Sequence, residues 1–155
     1  MTFVVDTNVI VVANDREADH ATPQCVLRCV DRLTEIRKTE RIVLHANYEI
    51  LNEYFRKANR SGQPGDGDAF AKWVFDNQWN ETHCDLVSIT PSDGGYLEFP
   101  TDPRLAGFDL DDRKFVAVSI AHPERSPILN AVGSDWRNFA EPLAENGIKV
   151  HDLCS

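Results

Sequence analysis

Four acidic residues stand where a shared chemistry is within their reach. Asp6 closes the apolar run Phe3-Val4-Val5, and Asp135 follows the run from Ile128 to Val132 after only Gly133-Ser134. Asp112 opens the apolar stretch Phe115 to Ala121, and Glu53 lies among Ile50, Leu51, Tyr54 and Phe55. An ionised carboxylate among residues that want burial is costly unless it is paired or metal-bound, and Asp6 is the plainest case. Converging carboxylates attract hard divalent cations through oxygen, Mg2+ or Mn2+ rather than zinc. Such ions hold a phosphodiester, activate water near neutral pH and stabilise a leaving oxygen. Each acid also has an ordinary use. Asp109 or Asp112 would serve as a helix N-cap, Asp135 as the cap of a helix starting at Trp136, and Glu53 as a solvated helix residue.

Glu49 competes with Glu53, and helical phase separates them. At ~100° per residue the apolar stripe centres between Tyr54 and Ala58. Glu53 lies roughly 130° from that centre and Glu49 roughly 170°. Glu53 is expected to lean into a cleft and Glu49 to point into water.

The elements that must position these acids alternate between strand and helix. Phe3 to Val5, Arg41 to His45, Asp85 to Ile89, Pro127 to Val132 and Ile148 to Val150 read as strands. Helices are expected from Pro23 to about Lys38, Ala46 to Asn59, Asp68 to Trp79, Asp112 to His122, and Trp136 to Glu145 with Gly147 as the stop. Ser61 to Gly67 reads as a loop, and Pro91 to Phe108 as irregular chain. Such alternation implies right-handed crossovers and a three-layer α/β/α sandwich around a central, mainly parallel sheet. In that architecture the functional crevice lies beyond the carboxyl ends of the strands, where Asp6 and Asp135 fall.

The 155 residues are expected to form one domain, 1–155, with a sizeable core. No apolar run approaches the ~18 residues that span a bilayer, and Met1 to Asp6 lacks a basic leader, so a cytoplasmic protein with no membrane partner is expected. The 25 acidic against 16 basic residues, a net charge of −9, argue against gripping nucleic acid by bulk charge. Cys25, Cys29, Cys84 and Cys154 are too scattered for a disulfide framework or a zinc site and are expected to be reduced core thiols. No Ser-His-Asp spacing competes with the acids. Gly65-Asp66-Gly67 has no Lys-Ser or Lys-Thr after it, so a phosphate-cradling loop fails.

Val4-Val5-Asp6-Thr7-Asn8-Val9-Ile10 resembles the opening strand of the PIN-domain nucleases, an Asp followed by a small polar pair. Glu49-Ile50-Leu51-Asn52-Glu53-Tyr54 resembles the family's acidic helix, with the functional acid on Glu53. Asp109-Leu110-Asp111-Asp112-Arg113-Lys114-Phe115 resembles its third motif, with the key acid on Asp112. Ala131-Val132-Gly133-Ser134-Asp135 resembles the fourth, with Gly133 where Thr is usual and Ser134 beside it as a substitute hydroxyl. The resemblance runs from Phe3 to Leu153. It implies a PIN-like fold and a metal-dependent endoribonuclease that hydrolyses RNA through Asp6, Glu53, Asp112 and Asp135 on Mg2+ or Mn2+, supported by Thr7 and Asn8. It also implies, from the small prokaryotic members, the toxin of a toxin–antitoxin pair, an antitoxin partner and a homodimer. The loop around Pro64 and the stretch Pro91 to Phe108 are longer than in a minimal toxin.

Arg113 and Lys114 adjoin Asp112 and are expected to meet substrate phosphates, whereas Arg37 and Lys38 suit a helix C-terminus. Two other classes are distinguishable. A haloacid-dehalogenase-like phosphatase needs a second Asp two residues after the first, and Asn8 occupies that position. A catalytically silent PIN-like binding module would be expected to lack one of the four acids.

Overall fold

Thr2–Val5 (β1) is flanked on both sides by parallel partners, which makes the first strand the middle of the sheet. A computed structural model of the chain describes residues 1–15 and 21–154. Arg41–His45 (β2), Cys84–Val87 (β3), Ile128–Asn130 (β6) and Val150–Asp152 (β7) complete a five-stranded sheet in the order β3-β2-β1-β6-β7, every pair parallel. Thr7–Ala13 (α1), Pro23–Thr39 (α2), Glu49–Lys57 (α3) and Asp66–Asn77 (α4) pack on one another as one layer. Arg113–Ala121 (α5) covers β1, β2 and β6, and Ser134–Asn138 (α6) and Ala140–Glu145 (α7) follow β6. The chain is thus an α/β sandwich of three layers with a parallel central sheet. No described helix is long and apolar enough to cross a membrane.

Because the strands are parallel, their carboxyl ends share one edge. Val4, Val5, Ile42, Val43, Ile128 and Leu129 are fully buried, as strands covered on both faces must be. Asp6 ends β1 there and at once starts α1, its side chain accepting from the Asn8 backbone N–H at 2.8 Å. Asn8 then reaches across to β6: its Nδ2 donates to Asn130 Oδ1, and its Oδ1 accepts from the Ala131 N–H, each at 2.8 Å. Gly133 closes this corner. A Cβ there would lie 2.8 Å from Asn130 Oδ1 and from Asn8 Nδ2 and 2.9 Å from Trp136 Cδ1, so a hydroxyl residue cannot take its place without moving them.

The structure redraws several expected boundaries. The helix expected from Ala46 begins at Glu49, because Tyr48 takes a left-handed conformation, φ 68°, that no helix continues. The helix expected from Trp136 to Glu145 is broken at Phe139, since Pro142 has no N–H for the Asn138 carbonyl. The supposedly irregular stretch holds an antiparallel ribbon, Pro91–Ser92 (β4) with Gly95–Tyr96 (β5), and a tight 3-10 turn at Pro103–Leu105. Reduced thiols were expected at all four cysteines, but Cys25 and Cys154 form a disulfide across 129 residues. Only Cys29 and Cys84 are free, and both are buried. Closing so long a span stabilises the fold by about 4–5 kcal/mol in a chain-entropy account.

Candidate metal centre and active-site cleft

Tyr54 sets the phase of α3. Its hydroxyl donates to the Val5 carbonyl at 2.6 Å in the core, which fastens the helix to the carboxyl end of β1. One residue earlier, Glu53 is thereby turned towards α1 and α5. Its Oε2 accepts from the Thr7 hydroxyl, and its Oε1 lies 2.7 Å from Lys114 Nζ. Asp6 is only 3% exposed and both its oxygens are bound: Oδ1 by the Asn8 N–H, Oδ2 by the Trp136 indole N–H at 2.7 Å. Asp112 enters from the tight turn Leu110–Asp112 that leads into α5. There Asp109 is the cap, accepting from the Asp111 N–H at 2.9 Å, while Asp112 makes no side-chain cap and keeps its carboxylate for the cleft.

Asp6, Glu53 and Asp112 line one cleft of about 550 Å³ together with Thr7, Asn8 and Lys114. Asp135 is not in its lining. Carboxylate oxygens of Asp109, Asp112 and Asp135 nonetheless lie within 4.8 Å of one another. The backbone N–H of Asp109 holds Asp135 Oδ2 at 2.8 Å. Asp112 therefore belongs to both groups. Ser134 lines a neighbouring groove with Asn8, Arg137 and Cys154 rather than the acidic cleft.

Burial pushes the Asp6 carboxyl up to about 6, against the pull of the Asn8 and Trp136 hydrogen bonds. Asp112 is pushed up to about 8, first by burial and then by the charges of Asp6, Asp109 and Glu53, with Lys114 opposing. These carboxylates are close enough to repel, and all their donors are oxygen. That is the donor set a Mg2+ or Mn2+ ion takes and one that zinc does not favour.

The raised values have a consequence for stability. Groups whose folded-state pKa lies above the ordinary aspartate value near 4 stabilise the fold at low pH, and that contribution is lost as pH rises through the folded value. In EDTA, Asp112→Asn should therefore raise the melting temperature by several degrees at pH 8 and by markedly less at pH 5, where most of the loss has yet to occur. Melting curves of both proteins at both pH values check this. An equal gap at the two pH values would mean that Asp112 carries no such strain.

Two expected residues behave otherwise. Glu49 does not point into water: it lines the same cleft and accepts from the Tyr96 hydroxyl of β5. Arg113, expected on phosphates, turns away and braces the ribbon. Its guanidinium donates to the carbonyls of Gly94, Leu105, Ala106 and Phe108 and lies 4.5 Å over the Phe99 ring. Trp136 was missed as a partner of Asp6, although an indole directly after Asp135 was the signal available. Tyr96 offered no signal, since it lies in chain without periodicity.

A larger cavity, about 740 Å³, opens beside the edge strand β3. Three of its polar groups are engaged together: Asp85 pairs with Arg41 and with His122 Nε2 at 2.8 Å, while His122 Nδ1 lies 3.1 Å from Ser126 Oγ. Ser126 is 1% exposed, so this Ser-His-Asp sequence of contacts presents no nucleophile to solvent. The smaller cleft is the acidic one, with Asp6, Glu49, Glu53 and Asp112 in its wall. Asn8, in the position where a phosphatase of the haloacid-dehalogenase kind needs its second Asp, has its amide committed to Asn130 and Ala131. Comparisons of the chain with protein-family models, with curated proteins and with solved structures find no match.

Proposed function

We propose that this chain is a metal-dependent endoribonuclease of the PIN type, hydrolysing RNA phosphodiester bonds at the Asp6 cleft. The observation that carries the reading is a buried aspartate at the end of the central strand, faced by Glu53 and Asp112 in one solvent-open cleft. Hydrolysis puts the oxygen of water on phosphorus, breaks one ester P–O bond and leaves the proton on the departing oxygen. When bound, Mg2+ or Mn2+ supplies positive charge for the phosphate oxygens and for the attacking water. On this reading Asp6, Asp112 and Asp135 would hold it, Asp112 being common to the cleft and to the Asp109–Asp112–Asp135 group. Thr7 fixes Glu53, Asn8 and Trp136 fix Asp6, and Arg56 and Lys57 at the cleft wall offer charge to the RNA backbone. A toxin role, with an antitoxin partner and a homodimer, is supported by the motif resemblance alone.

Glu53→Gln is expected to lower RNA cleavage by at least about tenfold, as loss of a charge at the reacting centre does. Glu49→Gln should cost little, because its partner is Tyr96 rather than the Thr7–Lys114 side of the cleft. Initial rates on a single-stranded RNA, with the same DNA sequence alongside, measure both the effect and the sugar preference. Equal losses in the two variants would move the reacting centre towards β5, and cleavage of DNA alone would replace RNA as the substrate.

A further inference from the structure

The cleft contains a cation of its own. Lys114 is 8% exposed, an unusual burial for an ammonium, and burial of that kind costs several kcal/mol unless the charge is paired. Its Nζ lies 2.7 Å from Glu53 Oε1, donates to the Asp111 carbonyl, and sits 5.3 Å from the centroid of the Phe115 ring. It thus stands between α3 and the turn that delivers Asp112. Glu53 is spent on this arrangement: one oxygen takes Lys114 and the other the Thr7 hydroxyl. The ammonium thus balances the Glu53 charge inside the cleft, where a second ion would otherwise be needed to do so. A carboxylate oxygen of Asp112 also lies within 4.8 Å of ones from Asp109 and Asp135.

We propose that the Lys114 ammonium is the built-in second cation of the site: the aspartates hold one divalent ion, Glu53 holds Lys114, and the scissile phosphate lies between the two positive centres. This rests on the metal-dependent reading above and adds the ion count and a catalytic role for one residue. A site with two divalent ions clamps a phosphodiester from both sides; here an amine on a buried stem takes one of those sides. It is fixed in place, needs no ion concentration to fill it, and contributes a point charge with three N–H donors.

The test sets ion binding against turnover. Mn2+ titrated into the whole chain, with free Mn2+ followed by electron paramagnetic resonance, should give one ion per wild-type chain. Lys114→Met keeps the stem and removes the charge. It should bind Mn2+ several-fold more tightly, or take up a second ion, while cleavage at saturating Mn2+ falls by at least about tenfold. Affinity and rate then move in opposite directions, which loss of a mere structural brace would not produce. Lys114→Arg keeps a cation and should retain one ion per chain with cleavage above that of the Met variant. Two ions on the wild-type chain, parallel losses of binding and cleavage in Lys114→Met, or an Arg variant no better than Met would each overturn the proposal. A wild-type chain that binds no Mn2+ and cuts no RNA overturns the metal-dependent reading itself, a result distinct from all three.

Discussion

RNA cleavage by this protein should fall to background in excess EDTA and return when Mg2+ or Mn2+ is added beyond the chelator. The expectation comes from what the cleft lacks as much as from what it holds. Among the described residues lining it there is no serine, cysteine or histidine to serve as nucleophile or base. Its carboxylates are mutually repelling and partly desolvated, with Asp6 and Asp112 both raised. Without an ion, such a cleft repels a phosphodiester, and among the described residues only Lys114, Arg56 and Lys57 line it with positive charge. The measurement is a cleavage time course with chelator, then with each metal. Undiminished cleavage in EDTA would rule out the mechanism proposed, and Ca2+, which favours looser and higher coordination than Mg2+, is expected to restore little.

The second large effect is expected from Asp6→Asn, which should lower cleavage by about a hundredfold or more, a loss of at least ~2.7 kcal/mol of barrier lowering. Two opposing terms set its effect on the fold. Removing the charge relieves repulsion from Glu53 and Asp112. Asn, however, has one acceptor oxygen where Asp6 uses two, so it keeps either the Asn8 bond or the Trp136 bond. A buried indole N–H left without a partner costs ~1–3 kcal/mol. The terms nearly cancel, so at pH 8 in EDTA the melting temperature should shift by only a few degrees. What should nearly vanish is the gain on adding Mn2+, because an ion that binds the native state stabilises it in proportion to its affinity. Melting curves with and without Mn2+ for both proteins test this. A variant that keeps the wild-type Mn2+ shift would remove Asp6 from the ion's shell; one that unfolds would make Asp6 chiefly a cap for α1.

The positions of the acids were legible because strand ends can be read from sequence. Val4-Val5-Asp6 and Leu129 to Val132 are short apolar runs, and in a parallel sheet their carboxyl ends must share an edge. Helical phase put Glu53 at a cleft, which it does line beside Thr7 and Lys114, but did not put Glu49 there, although Glu49 lines the same cleft. The stripe of α3 describes what the helix packs on and carries no information about the ribbon that covers its first turn. The Cys25–Cys154 bond escaped for a related reason: 129 residues separate the partners, and no local pattern marks such a pair. Arg113 looked free because charge next to an acid suggests a ligand, yet four backbone carbonyls claim its guanidinium. In each case the missing knowledge was of contacts made by chain that has no regular period.

The central position of β1 gives the site a timetable. During synthesis the strand that carries Asp6 is the first to be made, but Val4 pairs with Ile128, and the indole that holds Asp6 lies 130 residues further along. Loops of that span close late, since contacts distant in sequence form only after the nearer ones have shortened the path between them. A growing chain therefore presents Asp6 and Glu53 well before Asp112, Asp135 or Trp136 exists to complete the cluster. For a protein proposed to cut RNA, this order separates translation from activity: the nascent chain leaves its own message intact until the stretch from Asp112 to Trp136 has emerged from the ribosome and docked.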